Sequence, residues 1–335
     1  MVADGRATRR EALTVGALCC AWYAASSASN VVGKLVLTAF PFPMTVTMVQ
    51  LAATAALSAP ALALAGVRPA PRWGRERVLT ALLPLAFAKF LTTVCSQISL
   101  WKVPISYAHT VKATTPLWTA AIARLALGER QPARVVAALL VIAAGVGVAS
   151  ATELAFDGGG LAAALAAAAL LSLQHIYSKR VLRDAGVHHL RLLQALSAAA
   201  LALALPLWAW RDGAALLRAG WPAGATPALL AADGALAWLQ AVAAFSVLSR
   251  VSPLAYAVAS AAKRAAVVAA SLLVLRNPAP PLNVAGMALA LLGVLAYNRA
   301  KLRPAPPAAR PLFSKIPLST KSRSAGSQFG RLKND

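Results

Sequence analysis

Four basic residues lie deep inside long apolar segments, where a charge is unfavourable unless something offsets it. Lys89, Lys112 and the adjacent pair Lys263 and Arg264 each fall near the middle of a run long enough to cross a bilayer. A central Lys or Arg costs about 2.5–3.5 kcal/mol on insertion scales. We expect none of the 10 Asp and Glu residues at comparable depth, since each falls at or near a helix end or in a loop. The four cations therefore predict a wet cavity that binds an anion.

The mixture of Arg and Lys favours a phosphate-bearing anion. A guanidinium offers a bidentate fork to phosphate oxygens, and an ammonium offers a point charge. The alternative is that these side chains snorkel to an interface, which works near helix ends and poorly at mid-depth. Proton-coupled pumps commonly use buried acids or histidines. Because deep acids are not expected here, we expect anion exchange rather than net proton symport.

Two further residues belong to the predicted site because of their spacing. Tyr256 precedes Lys263 by two helical turns and shares its helix face, where it could hydrogen-bond a sugar or phosphate or could only pack. Thr115 stands immediately before Pro116, which bends a helix and frees backbone carbonyls. The sequence shows no nucleophile or acid–base pair at depth, so we predict no enzyme activity and no cofactor. The four His and three Cys residues have no metal-ligand spacing, so we predict no metal.

The elements that position these residues are long apolar helices. Hydrophobic residues make up 59% of the 335 and charged residues 13%, about half the charged share of a soluble domain. In a soluble protein the net charge of +23 would suggest nucleic acid, but here the basic residues flank apolar blocks, which is the membrane pattern. An all-α integral membrane protein with ten transmembrane helices is predicted. The predicted spans are 13–36, 44–65, 78–100, 104–126, 134–151, 160–179, 189–210, 228–249, 252–275 and 281–298.

An internal repeat divides these helices into two halves. Pro104 and Pro253 each precede a Tyr by three residues, and each of the two helices then carries a buried Lys. A repeat unit of five helices makes the second copy inverted, which is typical of transporters with a midplane substrate site. Most Lys and Arg residues lie on the side with both termini, which predicts cytosolic termini. The predicted organisation is a cytosolic N-terminus (1–12), two five-helix repeats (13–151 and 152–300) and a disordered basic cytosolic tail (301–335).

Several of these motifs resemble those of the triose-phosphate and nucleotide-sugar translocators, within the drug/metabolite transporter superfamily. The resemblance covers 13–300 and looks closest to the orphan E-type branch of human solute carrier family 35. It rests on three stretches: Lys102 to Ala113, Gly33-Lys34 before the Phe40-Pro41-Phe42-Pro43 turn, and Ser252-Pro253 through Tyr256 to Lys263-Arg264. The resemblance implies that Lys112, Lys263 and Arg264 bind a phosphate, that Tyr256 assists, and that Lys34 belongs to the site. Lys89 lies outside the family pattern, and Thr93 stands where the plastid proteins have a His.

The combined prediction is an alternating-access antiporter of sugar phosphates or nucleotide sugars. Its partners are the bilayer and a small phosphate ester, and a homodimer stays open. The alternative is a membrane scaffold or trafficking adaptor that works through its basic tail. No Ser/Arg-rich transit peptide of useful length precedes residue 13, which favours the Golgi or endoplasmic reticulum over a plastid.

Overall fold

The computed structural model describes residues 2–67, 76, 78–128, 131–185, 188–220, 224–251 and 253–302, and within them the fold is helical without strands. The helices are α1 Val2–Ala39, α2 Pro43–Leu64, α3 Leu83–Lys102, α4 Ile105–Lys112, α5 Thr115–Leu127, α6 Ala133–Ala151, α7 Gly158–Ala185, α8 His189–Trp208, α9 Ala214–Ala219, α10 Thr226–Arg250, α11 Pro253–Leu275 and α12 Pro281–Leu302. One π-helical turn, Val78–Leu82, leads into α3, and another, Ala209–Gly213, joins α8 to α9. The predicted basic tail lies outside the described residues from 303 onward.

The outer surface of the bundle is apolar. Within the described ranges, nine helical segments are long and apolar enough to cross a membrane, and less than half of the most apolar stretch of each is buried by the rest of the molecule. Large side chains such as Leu140, Leu217 and Leu273 point outward, with Leu217 90% exposed. Such a surface is stable against lipid and not against water. The prediction of an all-α integral membrane protein is confirmed.

The predicted span 104–126 is broken into two helices, so the described residues do not confirm the count of ten spans. α4 ends at Lys112 and α5 begins at Thr115, with a turn at Ala113 and Thr114 between them. Pro116 causes the break because it has no N–H to donate to the carbonyl of Lys112, four residues earlier. That carbonyl is therefore free to accept hydrogen bonds from outside the helix ladder.

The helices pair in a pattern that fits two related halves. α1 packs on α10 and α3 packs on α7, while α2 packs on both α8 and α10 and α3 also packs on α8. If α7, α8, α10, α11 and α12 repeat the first five spans, these contacts form equivalent pairs. The α1–α10 contact then corresponds to α3–α7, the α2–α10 contact corresponds to α3–α8, and the α2–α8 contact corresponds to itself. The pairing supports the predicted division near 151 into two halves, which stays a prediction.

Small residues bring α6 and α12 into backbone contact at the end of each half. A Cβ added at Gly145 would lie 2.3 Å from the backbone nitrogen of Ala290, and one added at Gly286 would lie 2.6 Å from that of Ala149. Each helix thus carries a Gly and an Ala four residues apart, and the Gly of one faces the Ala of the other. Small residues at this spacing let membrane helices approach closely, which increases van der Waals contact.

The loop between α6 and α7 is tied to the end of α3. Asp157 accepts from the Gly160 backbone N–H at 2.6 Å and pairs with Lys102 at 3.1 Å. The Gly160 N–H, and then the Lys102 ammonium, lower the pKa of the Asp157 carboxyl. A negative charge here also suits the N-terminus of α7. The contact fixes where α7 begins relative to the helix that carries Lys89.

Candidate anion-binding site

Three of the predicted cations meet at the break between α4 and α5. Arg264 of α11 donates from Nη1 to the Lys112 carbonyl at 2.8 Å and from Nη2 to Thr115 Oγ1 at 3.2 Å. Thr115 Oγ1 itself donates to the same carbonyl at 2.6 Å. Lys112 and Lys263 lie close enough to Arg264 to repel it electrostatically. The carbonyl that Pro116 frees is thus the anchor for the guanidinium.

Arg264 is fixed in place and still has donors to offer. Its side chain is 8% exposed, and its two described bonds hold one edge of the guanidinium against the helix break. A guanidinium carries more N–H groups than these two bonds use. Neither partner is a carboxylate, so the positive charge is not neutralised by an acid. The remaining N–H groups and the nearby ammonium groups can all bind one anion.

Lys263 is held over an aromatic face instead of an acid. Its Nζ lies 5.5 Å from the centre of the Trp22 ring, which is within cation–π range. Trp22 in turn stacks on Tyr256, with ring centres 5.4 Å apart and an interplanar angle of 17°. Tyr256 thus packs against the ring that lies under the Lys263 ammonium, and its contact with a ligand stays a prediction.

A cavity of about 240 Å³ lies beside this cluster, between the two halves. Lys263 and Trp22 form part of its wall, and Lys89 of α3 forms another part with Thr93 one turn away. Its remaining lining residues are Gln50, Leu51, Thr54, Ala237, Gln240, Ala241 and Ala244. Two ammonium groups thus border a space whose other polar walls are amides and hydroxyls. This is an arrangement that attracts an anion and orients its uncharged part by hydrogen bonds.

Lys34 lies apart from this group of residues. Its ammonium donates to the backbone carbonyls of Leu100, Trp101 and Val103, at 2.8, 3.2 and 3.1 Å. These carbonyls belong to the end of α3, where the helix leaves them without intrahelical partners. An ammonium has three N–H donors, and all of them are engaged. In this conformation Lys34 caps α3 and does not line the cavity.

The expectation that no acid lies deep in the bundle is wrong for Asp233. It lies two turns inside α10 and is 0% exposed, because α1 and α2 pack over it. Its Oδ1 accepts from Ser29 Oγ at 3.0 Å, and its Oδ2 accepts from Gln50 Nε2 at 2.8 Å. The sequence predicts Asp233 near a helix end, but α10 begins at Thr226, and the face that carries Leu230 and Asp233 is already covered by neighbours two turns later.

Several polar side chains near the site are absent from the sequence prediction, which rests on charged residues, Tyr256 and Thr115. Gln97 Nε2 donates to Gln50 Oε1 at 2.8 Å, and Ser26 Oγ donates to Gln240 Oε1 at 2.6 Å. An amide inside an apolar span is unfavourable unless paired, so Gln50, Gln97 and Gln240 were detectable signals. Trp22 was another, since membrane Trp residues concentrate at the interfaces and this one stands well inside a span.

Comparisons with known proteins agree with this architecture. The model of the triose-phosphate transporter family matches residues 13–298. The phosphoenolpyruvate/phosphate translocator 3, chloroplastic, of Oryza sativa subsp. japonica is 34% identical over 312 residues, covering 88% of this chain and 77% of that protein. The triose phosphate/phosphate translocator, non-green plastid, chloroplastic, of Brassica oleracea var. botrytis is 30% identical over 313 residues, covering 90% and 77%.

More distant matches extend the likeness. The glucose-6-phosphate/phosphate translocator 1, chloroplastic, of Arabidopsis thaliana is 27% identical over 310 residues, covering 90% of this chain and 78% of that protein. One solved crystal structure of a protein shares the fold at a TM-score of 0.57 and 18% identity, covering 86% of this chain and 99% of that one. Because the family model spans nearly all the helices and the first two relatives align over most of both chains, this chain belongs to the triose-phosphate transporter family, within the drug/metabolite transporter superfamily.

Proposed function

We propose that this chain is an alternating-access antiporter that exchanges small phosphate-bearing organic anions across a membrane. The observation that carries the proposal is the set of cations at the helix break and cavity, Lys112, Lys263 and Arg264. In the described part of the chain, Arg264 binds a carbonyl and a hydroxyl, and Lys263 lies over an aromatic face. All three of the named relatives are translocators of an organic phosphate and phosphate. The site chemistry and the kinship therefore point to the same substrate class.

The geometry suggests how each residue would hold the phosphate. Arg264 would offer its unused N–H groups as a fork, while Lys263 and Lys112 would add point charges from neighbouring directions. Lys89, which lines the same cavity as Lys263, would reach a second anionic or hydroxyl group of the substrate. Binding would draw the Lys263 ammonium from the Trp22 face to the phosphate, since an anion is a stronger partner than an aromatic ring.

Exchange follows from the charge of the empty site. Lys112, Lys263 and Arg264 repel one another when no anion lies between them. The conformational change of the carrier is unfavourable when this cluster is empty, because the repulsion is not offset. It is more favourable when an anion is bound in each direction. We therefore expect obligatory counter-transport, with inorganic phosphate as one of the exchanged anions.

The size of the cavity favours a sugar phosphate or a similarly small ester over a nucleotide sugar. Sites for drug-sized ligands measure about 300–1,000 Å³. The cavity of about 240 Å³ is smaller than that, which suits a phosphate on a short carbon chain. The amides of Gln50 and Gln240 would then contact the uncharged part of the substrate.

Counterflow into proteoliposomes tests the proposal. Vesicles preloaded with inorganic phosphate or one of a panel of sugar phosphates, phosphoenolpyruvate and nucleotide sugars would take up radiolabelled phosphate. We expect uptake only with a phosphate ester or phosphate inside, and none in the Lys263→Ala/Arg264→Ala double variant. The matched control is Arg299→Ala/Lys301→Ala, which removes two exposed cations at the end of α12 and should leave uptake intact.

Three results would contradict the proposal. Uptake that does not depend on an internal anion would rule out antiport. Equal loss in the double variant and its control would show that the buried cations are not the site. A folded wild-type protein inactive with every panel member would favour a scaffold role.

We further propose that the protein lies in the Golgi or endoplasmic reticulum with both termini in the cytosol. We also propose that it is related to the E-type branch of solute carrier family 35. All three named relatives are chloroplast proteins, so a plastid envelope is the competing location. A fluorescent fusion imaged with Golgi, reticulum and plastid markers would decide between them. Protease protection of tags at either end would test the orientation.

A further inference from the structure

Asp233 is a buried carboxyl group that the phosphate site itself does not use. Each of its oxygens has one described hydrogen bond, from Ser29 and from Gln50, and both donors are neutral. Within the described part of the chain it forms no salt bridge, and the ion pair found there joins Lys102 to Asp157 instead. Neutral hydrogen bonds offset only part of the desolvation of a buried carboxylate. Its surroundings can therefore favour the neutral acid whenever the nearby positive charge is reduced.

The hydrogen-bond chain around Asp233 can accommodate either protonation state if the amide groups of Gln50 and Gln97 each make a half-turn. With an ionised carboxylate, Gln97 donates to Gln50, and Gln50 donates to Asp233. An amide oxygen and nitrogen exchange places by a half-turn of the group. After that turn in both glutamines, a protonated Asp233 donates to Gln50 Oε1, and Gln50 donates to Gln97. Gln97 Oε1, which is buried without a partner in the first arrangement, gains one in the second.

The hydrogen bonds around Asp233 extend to the wall of the cavity. Gln50 contacts Asp233 and also lines the cavity that Lys89 and Lys263 border. Gln240, another lining residue, donates to Ser29 at 3.4 Å, and Ser29 is the second donor to Asp233. One hydrogen-bonded residue, Gln50, therefore separates the carboxyl group from the substrate space on one side, and two, Ser29 and Gln240, separate it on the other.

The charged neighbours set the sign of the coupling. The ionisable groups on helices packed against α10 whose side chains the structure describes are Glu11, Cys19, Cys20, Tyr23 and Lys34 of α1, His189 and Arg191 of α8, and Tyr256, Lys263 and Arg264 of α11, while α2 has none. Lys89 adds a further charge in the wall of the cavity. In the empty site these cations favour an ionised Asp233. A phosphate dianion in the cavity cancels that positive field and disfavours a second negative charge nearby.

We propose that Asp233 is a proton-binding site coupled to the cavity, so that a phosphate dianion and a proton bind together. Because coupling free energies are reciprocal, a proton on Asp233 also strengthens binding of the dianion. The carrier would then move each anion with a compensating proton and keep the charge of its buried site nearly constant. The inference rests on the proposed phosphate site and adds the means of charge compensation.

Proton uptake on binding is the direct test. Inorganic phosphate would be titrated into purified protein by calorimetry in buffers of different ionisation enthalpy, across the neutral pH range. We expect the wild type to take up as much as one more proton per bound phosphate than Asp233→Asn, which cannot bind it. The titration of phosphate itself is the same in both proteins and cancels in the comparison. Asp212→Asn is the matched control, because Asp212 is also buried but caps the start of α2 through Thr45.

A second measurement does not depend on the variant folding. Phosphate added to the wild type should produce an infrared carbonyl band of a protonated carboxylic acid, and that band should persist in Asp212→Asn. Equal proton uptake by all three proteins, or no new band in the wild type, would overturn the inference while phosphate binding still supported the transporter. A cooperatively melting wild type that binds no phosphate would overturn both proposals.

Discussion

Thr115→Val should weaken phosphate binding about tenfold while leaving the fold intact. Thr115 Oγ1 accepts from Arg264 at 3.2 Å and donates to the Lys112 carbonyl at 2.6 Å. Valine has nearly the same shape, so it removes both bonds with little change of packing. Arg264 would keep its bond to the Lys112 carbonyl but lose the second contact that fixes the plane of the guanidinium.

The magnitude follows from the kind of bond lost. Hydrogen bonds to charged groups contribute about 1.5–3 kcal/mol. The distance of 3.2 Å is longer than that of a strong charge-assisted bond, which selects the lower end of that range. A loss of about 1.5 kcal/mol corresponds to a change of about tenfold in affinity. Since the bond orients a group that binds substrate throughout the cycle, KM should rise and kcat should change little.

The assay is phosphate counterflow in proteoliposomes, with Thr110→Val as the matched control. Thr110 lies in α4 and donates to the Ser106 carbonyl in its own helix, without contacting a cation. Both variants lose a hydroxyl-to-carbonyl bond, and only Thr115→Val loses a bond to Arg264. Similar KM values for the two variants would refute the idea that the helix break positions the guanidinium.

Three other perturbations probe the parts that hold the site. Gly145→Ala should destabilise the protein by about 1–3 kcal/mol through overpacking, because its Cβ would lie 2.3 Å from the Ala290 nitrogen. Thermal melts in detergent should show a lower melting temperature for this variant and an unchanged one for Gly147→Ala, whose Cβ would meet no atom within 4 Å. Lys34→Met should lower the melting temperature by uncapping α3, yet leave KM for phosphate unchanged. The lowered pKa of Asp157 means that its charge stabilises the fold at neutral pH and that this contribution is lost as pH falls through that pKa. The difference in melting temperature between the wild type and Asp157→Asn should therefore vanish in acid.

Each of these three predictions has a distinct contrary result. Equal melting of Gly145→Ala and Gly147→Ala would mean that α6 and α12 are not in backbone contact. A raised KM in Lys34→Met with unchanged melting would place Lys34 at the substrate after all. A difference between wild type and Asp157→Asn that is constant with pH would show that the carboxylate charge does not stabilise the fold.

Some residues of the site can be predicted from the sequence and others cannot. Lys112, Lys263 and Arg264 were predictable because a charge in an apolar span is unfavourable and therefore conspicuous. Asp233 is buried as well, but its burial cannot be predicted from the sequence because it depends on the cover that α1 and α2 provide near the start of α10. Linear distance from a helix end does not measure burial when neighbouring helices extend past that end.

The sequence by itself determined that the chain crosses a membrane in apolar helices, that it carries deep cations without matching acids on the same helices, and that Pro116 interrupts one span. These follow from composition and from the covalent chemistry of single residues. Only the tertiary structure decided that Arg264 donates to the carbonyl which Pro116 frees and that the Lys263 ammonium lies over the Trp22 ring. It also decided that Lys34 caps α3 instead of lining the cavity. These contacts join residues far apart in the chain. Helix packing brings them within hydrogen-bonding or cation–π range, and no local sequence pattern encodes that distance.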